Sequence, residues 1–139
     1  MTGGEIYDAV GAVLPKSEYG WQLNPGHLTA MEEWLSAPME KDSKAVLKSG
    51  MVLQMDIIPR LAPYGGVSAE DGVALADEAL RTELQAKFPE TYARMQRRRK
   101  YMIEVLGIEL DESVLPMSDT VGYLRPLLIA RGMAMRVVR

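Results

Sequence analysis

The chain has a single histidine, His27, in the stretch NPGHLTAMEEW that runs from Asn24 to Trp34. One imidazole makes no site alone, so its chemistry depends on whether distant carboxylates converge on it. Two carboxylates stand out for that role. Asp56 interrupts the otherwise apolar run MVLQMDII at 51–58, and Glu70 lies within VSAEDGVALA at 67–76. A charge inside an apolar strand is costly unless it is paired or metal-bound. Strand side chains alternate between faces, so Asp56 shares one with Val52, Gln54 and Ile58, and Glu70 with Gly72 and Ala74. The small neighbours of Glu70 leave room for a group to approach.

If the two runs pair across the loop at 59–66, Asp56 and Glu70 become cross-strand neighbours. Two like charges at that separation repel, and a divalent cation resolves the repulsion. With His27 added, the donors are one nitrogen and carboxylate oxygens. That set suits Mn, Fe, Co or Zn and not Cu(I) or an iron–sulfur cluster. Plainer readings stand beside this one. His27 follows Pro25-Gly26 and reads equally as a hydrogen-bonded turn histidine. Asp56 reads as a buried acid paired with Arg60 or Arg81, and Glu70-Asp71-Gly72 as a hairpin turn.

The elements that must position these residues follow from periodicity. Ile6, Val10 and Val13 predict a helix over 4–14, ended by Pro15. The stretch through Trp21 reads as a turn followed by a strand. Residues 27–34 read as a strand ended by Ala37-Pro38, and Ser43 to Lys48 as one helical turn. The run 51–58 is apolar on both faces and predicts a central, buried strand. A wide loop joins it to an antiparallel partner at 67–76. Leu80, Leu84 and Phe88 predict a helix from Asp77. Pro89 opens another, to Leu106, with Tyr92, Met95, Met102, Val105 and Leu106 inward and Gly107 as its cap. Short strand-like pieces follow, with a turn at 119–122 and an edge strand at 133–138. This mixed order predicts an α+β fold: an antiparallel sheet with helices packed on one face.

The runs GMVLQMDIIP and GGVSAEDGVALAD resemble the last two metal-binding strands of the pita-bread metallopeptidases, the group of aminopeptidase P, prolidase and creatinase-like proteins. In that family a Gly-Met-Val strand carries a glutamate six residues after the glycine, and here that position is Asp56. The next strand carries Glu-Asp, here Glu70-Asp71, and an upstream Gly-His pair, here Gly26-His27, supplies the histidine ligand. The resemblance covers roughly residues 5–80 and implies a partial pita-bread fold. It implies metal ligands at His27, Asp56 and Glu70, and a divalent metal (Mn, Zn or Co) at low occupancy. It further implies a metal-bound hydroxide that attacks a peptide bond, often at Xaa-Pro.

The sequence also departs from the family. Its two aspartate ligands lie upstream of the histidine, where this sequence has 26 residues and Asp8 falls in the predicted first helix. Asp56 is one methylene shorter than the family's glutamate. A second family histidine is replaced by the stretch Met31 to Trp34, in which Glu33 is the candidate proton-transfer residue. The chain therefore reads as the C-terminal part of such an enzyme, completed by a missing half. The alternative is a non-catalytic module of the same fold that binds a peptide or a partner chain. Homodimerisation would cover the sheet surface that the absent half leaves open.

Composition narrows the remaining classes. A length of 139 residues suits a single domain over 1–139, and 47% hydrophobic with 25% charged residues suits a soluble globular protein. The formal charge of -3 offers nucleic acid no general attraction. The basic run RMQRRRKY at 94–101 covers every face of its helix and reads as a solvated helix with salt bridges. The absence of cysteine removes thiolate metal sites and cysteine nucleophiles, and fits a reducing cytoplasm. No apolar run approaches the ~20 residues that span a bilayer. One histidine and no nucleophile elbow leave no serine triad.

Overall fold

The computed structural model describes residues 1–29, 36–62, 65–66 and 69–118. Helix α1 spans Gly3–Val13 and opens with a capping box. The Thr2 hydroxyl accepts from the Glu5 N–H, and the Thr2 N–H donates to Glu5 Oε2 at 2.6 Å. Gly3 and Gly4 let the following segment lie against the helix, since a Cβ on either would overlap the Pro38 or Ser43 carbonyl oxygen. That contact explains why Ser43 to Lys48 is not the expected helical turn. Its carbonyls at Ala45 and Ser43 accept from the Gly3 and Gly4 N–H groups, and Val46 bridges Thr2 in antiparallel fashion. These backbone groups satisfy the end of α1 and are not free to close a helix of their own.

Pro15 stops α1 but also starts α2 (Lys16–Tyr19), where a turn followed by a strand was expected. The Pro15 carbonyl accepts from both the Glu18 and Tyr19 N–H groups, and Gly20 caps the turn at φ 64. Trp21 is buried, its indole N–H donates to the Leu14 carbonyl at 2.6 Å, and its ring meets Tyr7 edge-on at 5.7 Å. The Lys16 ammonium lies 4.3 Å from the Trp21 ring centroid and 5.3 Å from that of Tyr7.

Strands β1 (Gly26–Leu28), β2 (Val52–Ile57), β5 (Ala69–Leu75) and β6 (Val114–Pro116) form one antiparallel sheet in the order β1-β2-β5-β6. The central place of β2 agrees with its apolar pattern, although Leu53 alone of its residues is fully buried. Between β2 and β5 the chain forms a two-stranded ribbon, β3 (Arg60–Leu61) with β4 (Gly65–Gly66), inside the expected loop. Glu70, Asp71 and Gly72 lie within β5 and pair with Asp56, Met55 and Gln54, so they are not a hairpin turn. The predicted turn at 119–122 and edge strand at 133–138 lie outside the described residues.

Helices α3 (Glu78–Lys87) and α4 (Pro89–Tyr101) follow the sheet. Asp77 caps α3, with its carboxylate accepting from the Leu80 N–H at 2.9 Å. Ala76, Met95 and Leu115 form the core between these helices and β6, with Ala74, Leu80, Leu84 and Tyr92 packed around them. After Tyr101 the helix widens to a π turn over Met102–Leu106, and Gly107 caps it at φ 65. The wider turn slips the helical register. Met102 stays buried, but Val105 faces outward at 59% exposure, against the inward position predicted by an unbroken α pattern. The architecture is thus α+β. Among the described residues no helix is long and apolar enough to cross a membrane.

The basic run is not a fully solvated face. Arg98 and Arg99 are buried. Arg99 donates through Nη1 to the Asp111 carbonyl at 2.7 Å and to that of Val114, and through Nη2 to that of Leu110 at 3.4 Å. Arg94 donates to the Met117 carbonyl at 3.0 Å. Charged donors to part-buried carbonyls are among the stronger hydrogen bonds. Replacing the guanidinium leaves those carbonyls unsatisfied. Arg99→Met is therefore expected to destabilise the fold by about 2–4 kcal/mol, read as a lower urea midpoint.

Candidate functional site

The ladder of β2 with β5 places Asp56 directly opposite Glu70 and Gln54 opposite Gly72, while β1 places His27 opposite Gln54. Directly opposed residues share a face, and so do alternate residues along a strand. His27, Gln54, Asp56 and Glu70 therefore project from the same side of the sheet. Gly72 adds no side chain to the row, although a Cβ there would make only ordinary contacts, with the Gln54 side chain at 3.6 Å and the Met117 Cβ at 3.7 Å. Gly26 holds β1 close, because any Cβ would overlap both the Gln54 carbonyl oxygen and the Met39 methyl. Its neighbour His27 is thus carried on a backbone that lies close against β2. Asp71 points to the other face, where the Ser118 hydroxyl donates to it and Arg98 Nη2 stands 3.9 Å away.

The polar contacts of the row are specific. His27 Nδ1 lies 3.0 Å from the Leu28 carbonyl oxygen. A carbonyl only accepts, so Nδ1 carries the proton and, in the neutral ring, Nε2 keeps its lone pair. Gln54 Nε2 donates to Glu70 Oε2 at 3.2 Å. Asp56 is half-buried, and its Oδ1 is fully buried with no hydrogen-bond partner among the described residues. Neither arginine weighed as its partner meets it. Arg81 donates to the Ala76 carbonyl at 2.8 Å and faces Glu112 at 3.5 Å, and the exposed Arg60 forms no ion pair among the described residues. Burial raises the Asp56 carboxyl above its ordinary pKa and the charge of Glu70 raises it further, while His27 pulls the other way. A cavity of about 140 Å3 opens beside the pair, lined by Leu23, Asn24, Gly26, His27, Ala37 and Asp56.

The donor chemistry fits a divalent cation: an imidazole nitrogen with its lone pair available, an orphaned carboxylate oxygen and a second carboxylate steadied by an amide. Yet no three histidine, aspartate or glutamate side chains cluster closely enough among the described residues to hold an ion. His27, Asp56 and Glu70 share one wall without closing a coordination sphere. Glu33, the candidate proton-transfer residue, lies outside the described residues. Sequence reasoning missed Leu23, Asn24 and Ala37 as cavity walls. The turn signal at Asn24-Pro25-Gly26 is the only local hint of them. No family model, curated protein or solved structure matches the chain.

An acid whose pKa is raised in the folded state takes up a proton on folding. Its ionisation then costs stability as pH rises from the ordinary carboxylate value through the raised one, and costs nothing below that window. Asp56→Asn removes this cost in the metal-free protein. It is expected to raise the urea midpoint at pH 7 and to leave it unchanged near pH 3, well down the carboxylate titration. A variant less stable than the parent at pH 7 would contradict the assignment.

Proposed function

We propose that the chain forms the histidine–carboxylate wall of a pita-bread-type metallohydrolase acting on peptide bonds of the Xaa-Pro class. It becomes active when the two further aspartates that the resemblance requires are supplied by another segment or chain. The observation that carries this reading is Asp56, whose buried Oδ1 has no partner among the described residues, opposite Glu70 across one strand pair, with His27 beside them. His27, Asp56 and Glu70 would hold the ion together with those two aspartates. A bound divalent ion would supply Lewis acidity and a water acidified toward neutrality. The chain's own residues do the rest. The Leu28 carbonyl fixes the His27 tautomer, Gln54 orients Glu70, and the mostly apolar cavity beside His27 seats a small side chain of the substrate.

A second reading is supported by the open arrangement of the three side chains. The same wall serves a non-catalytic module that binds a peptide or a partner chain, a second copy included.

Titration of the metal-free chain with Mn and with Zn, followed by calorimetry, separates the two. The metallohydrolase reading expects saturable binding of one ion per chain, weakened at least ~10-fold in His27→Ala and in Glu70→Ala. Binding that neither substitution alters, or no binding at all, sinks that reading. Retention of an Xaa-Pro peptide without metal then favours the module.

A further inference from the structure

A second cavity, of about 230 Å3, lies away from the histidine–carboxylate wall. Its lining is Arg81 on α3, Tyr92, Gln96 and Arg99 on α4, and Glu112 in the segment before β6. The three α4 residues fall at i, i+4 and i+7, so they form a single stripe along the helix. The volume exceeds more than tenfold the ~10–15 Å3 that one water needs. The cavity is therefore roomy enough for a phosphate or carboxylate group together with part of the molecule that bears it.

The lining is cationic and rich in donors. Arg99 commits both Nη1 N–H groups and one on Nη2 to backbone carbonyls, which leaves its Nε–H and the second Nη2–H. Those same carbonyl bonds lock its guanidinium in place. Arg81 commits Nη1 to the Ala76 carbonyl. Among the described residues, the Tyr92 hydroxyl and the Gln96 amide have no hydrogen-bond partner. The one acid in the lining holds its place weakly: Glu112 Oε2 is 3.5 Å from Arg81 Nη2, and its side chain is 87% exposed. The nearby Asp111 carboxylate is turned to Ser113, accepting from its hydroxyl at 2.6 Å and its N–H at 2.9 Å. Those two bonds, with the positive charge of Arg99 and Arg81 added, hold the Asp111 carboxyl below its usual range.

We propose that this cavity binds a small oxyanion, a phosphate or carboxylate group, between the guanidinium groups of Arg81 and Arg99, and that the ligand displaces Glu112. Planar guanidinium groups match the spacing of two oxygens on either anion. Tyr92 and Gln96 donate to the remaining oxygens. Glu112 occupies the Arg81 fork in the empty state and swings into solvent when the ligand enters. The site does not depend on the metallohydrolase reading, and a failure of either leaves the other standing.

The test uses the full chain with inorganic phosphate and, separately, acetate, each at matched ionic strength against chloride. The readout is the arginine Nε–H resonances. Saturable shifts at Arg81 and Arg99 are expected with phosphate, acetate or both. Saturation by phosphate alone identifies a phosphoryl ligand, by acetate alone a carboxylate, and by both an oxyanion site that takes either. Arg81→Gln should weaken binding at least ~10-fold. Because that change also removes the bond to Ala76, the exposed Glu112→Gln provides an independent reading and should tighten binding about 3- to 10-fold. Shifts no larger than those with chloride, or a Glu112→Gln variant that binds no more tightly than the parent, would overturn the proposal.

Discussion

The pairing of β2 with β5 sets which side chains meet everywhere else. Side chains alternate with a period of two, so a slip of one residue would turn every one of them to the opposite face. In the observed register Leu53 opposes Val73, and Val73 opposes Pro116, which gives the sheet a row of apolar partners. The alternate residues carry Gln54, Asp56, Glu70 and Gly72 to the other side. Burial of Leu53 and Pro116 holds the register, and the register in turn brings two carboxylates together. Their mutual repulsion is thus imposed on the site by apolar packing that the carboxylates take no part in.

Helix α4 reinforces the same arrangement from the far edge. Arg94 and Arg99 donate to the carbonyls of Met117, Asp111 and Val114, and Arg98 faces Asp71. Arg94 and Arg99 tie the segment that carries β6 to the helix, and Arg98 adds a contact to β5. An arginine fork suits this work because its planar donors reach several carbonyls at once, which a lysine ammonium on a flexible stem does less well. Residues that look like a charge run in one dimension act in three as a rail for the outer strand.

Much of this was legible in the sequence, and the parts that were not have a common cause. The α1 helix, the β2 and β5 strands, the opposition of Asp56 to Glu70, and the α3 and α4 helices follow from apolar periodicity and from proline and glycine positions. The segments misread at 16–19 and 43–48 are short, and backbone bonds decide their form: a local turn onto the Pro15 carbonyl in one case, the distant N-terminus of α1 in the other. Val105 was misplaced because an α pattern carries no sign of a turn widened by one residue. The burial of Arg99 escaped notice because its acceptors are main-chain carbonyls, and no side-chain type marks those. Of the site, the residues and their shared face were readable. The tautomer of His27 and the orphaned oxygen of Asp56 were not, since both depend on atomic distances.

The π turn at Met102–Leu106 also bears on how this chain tolerates change in length. A π turn holds one residue more than the α turn it replaces, and the surplus lies here among the partly exposed Ile103, Glu104 and Val105. Loss of one of them lets the helix run on as α toward the cap at Gly107, while Met95, Arg98 and Arg99 upstream keep their partners. Related chains that differ by a single insertion or deletion should carry it at this point, and the arginine-bearing turns of α4 should keep a fixed length.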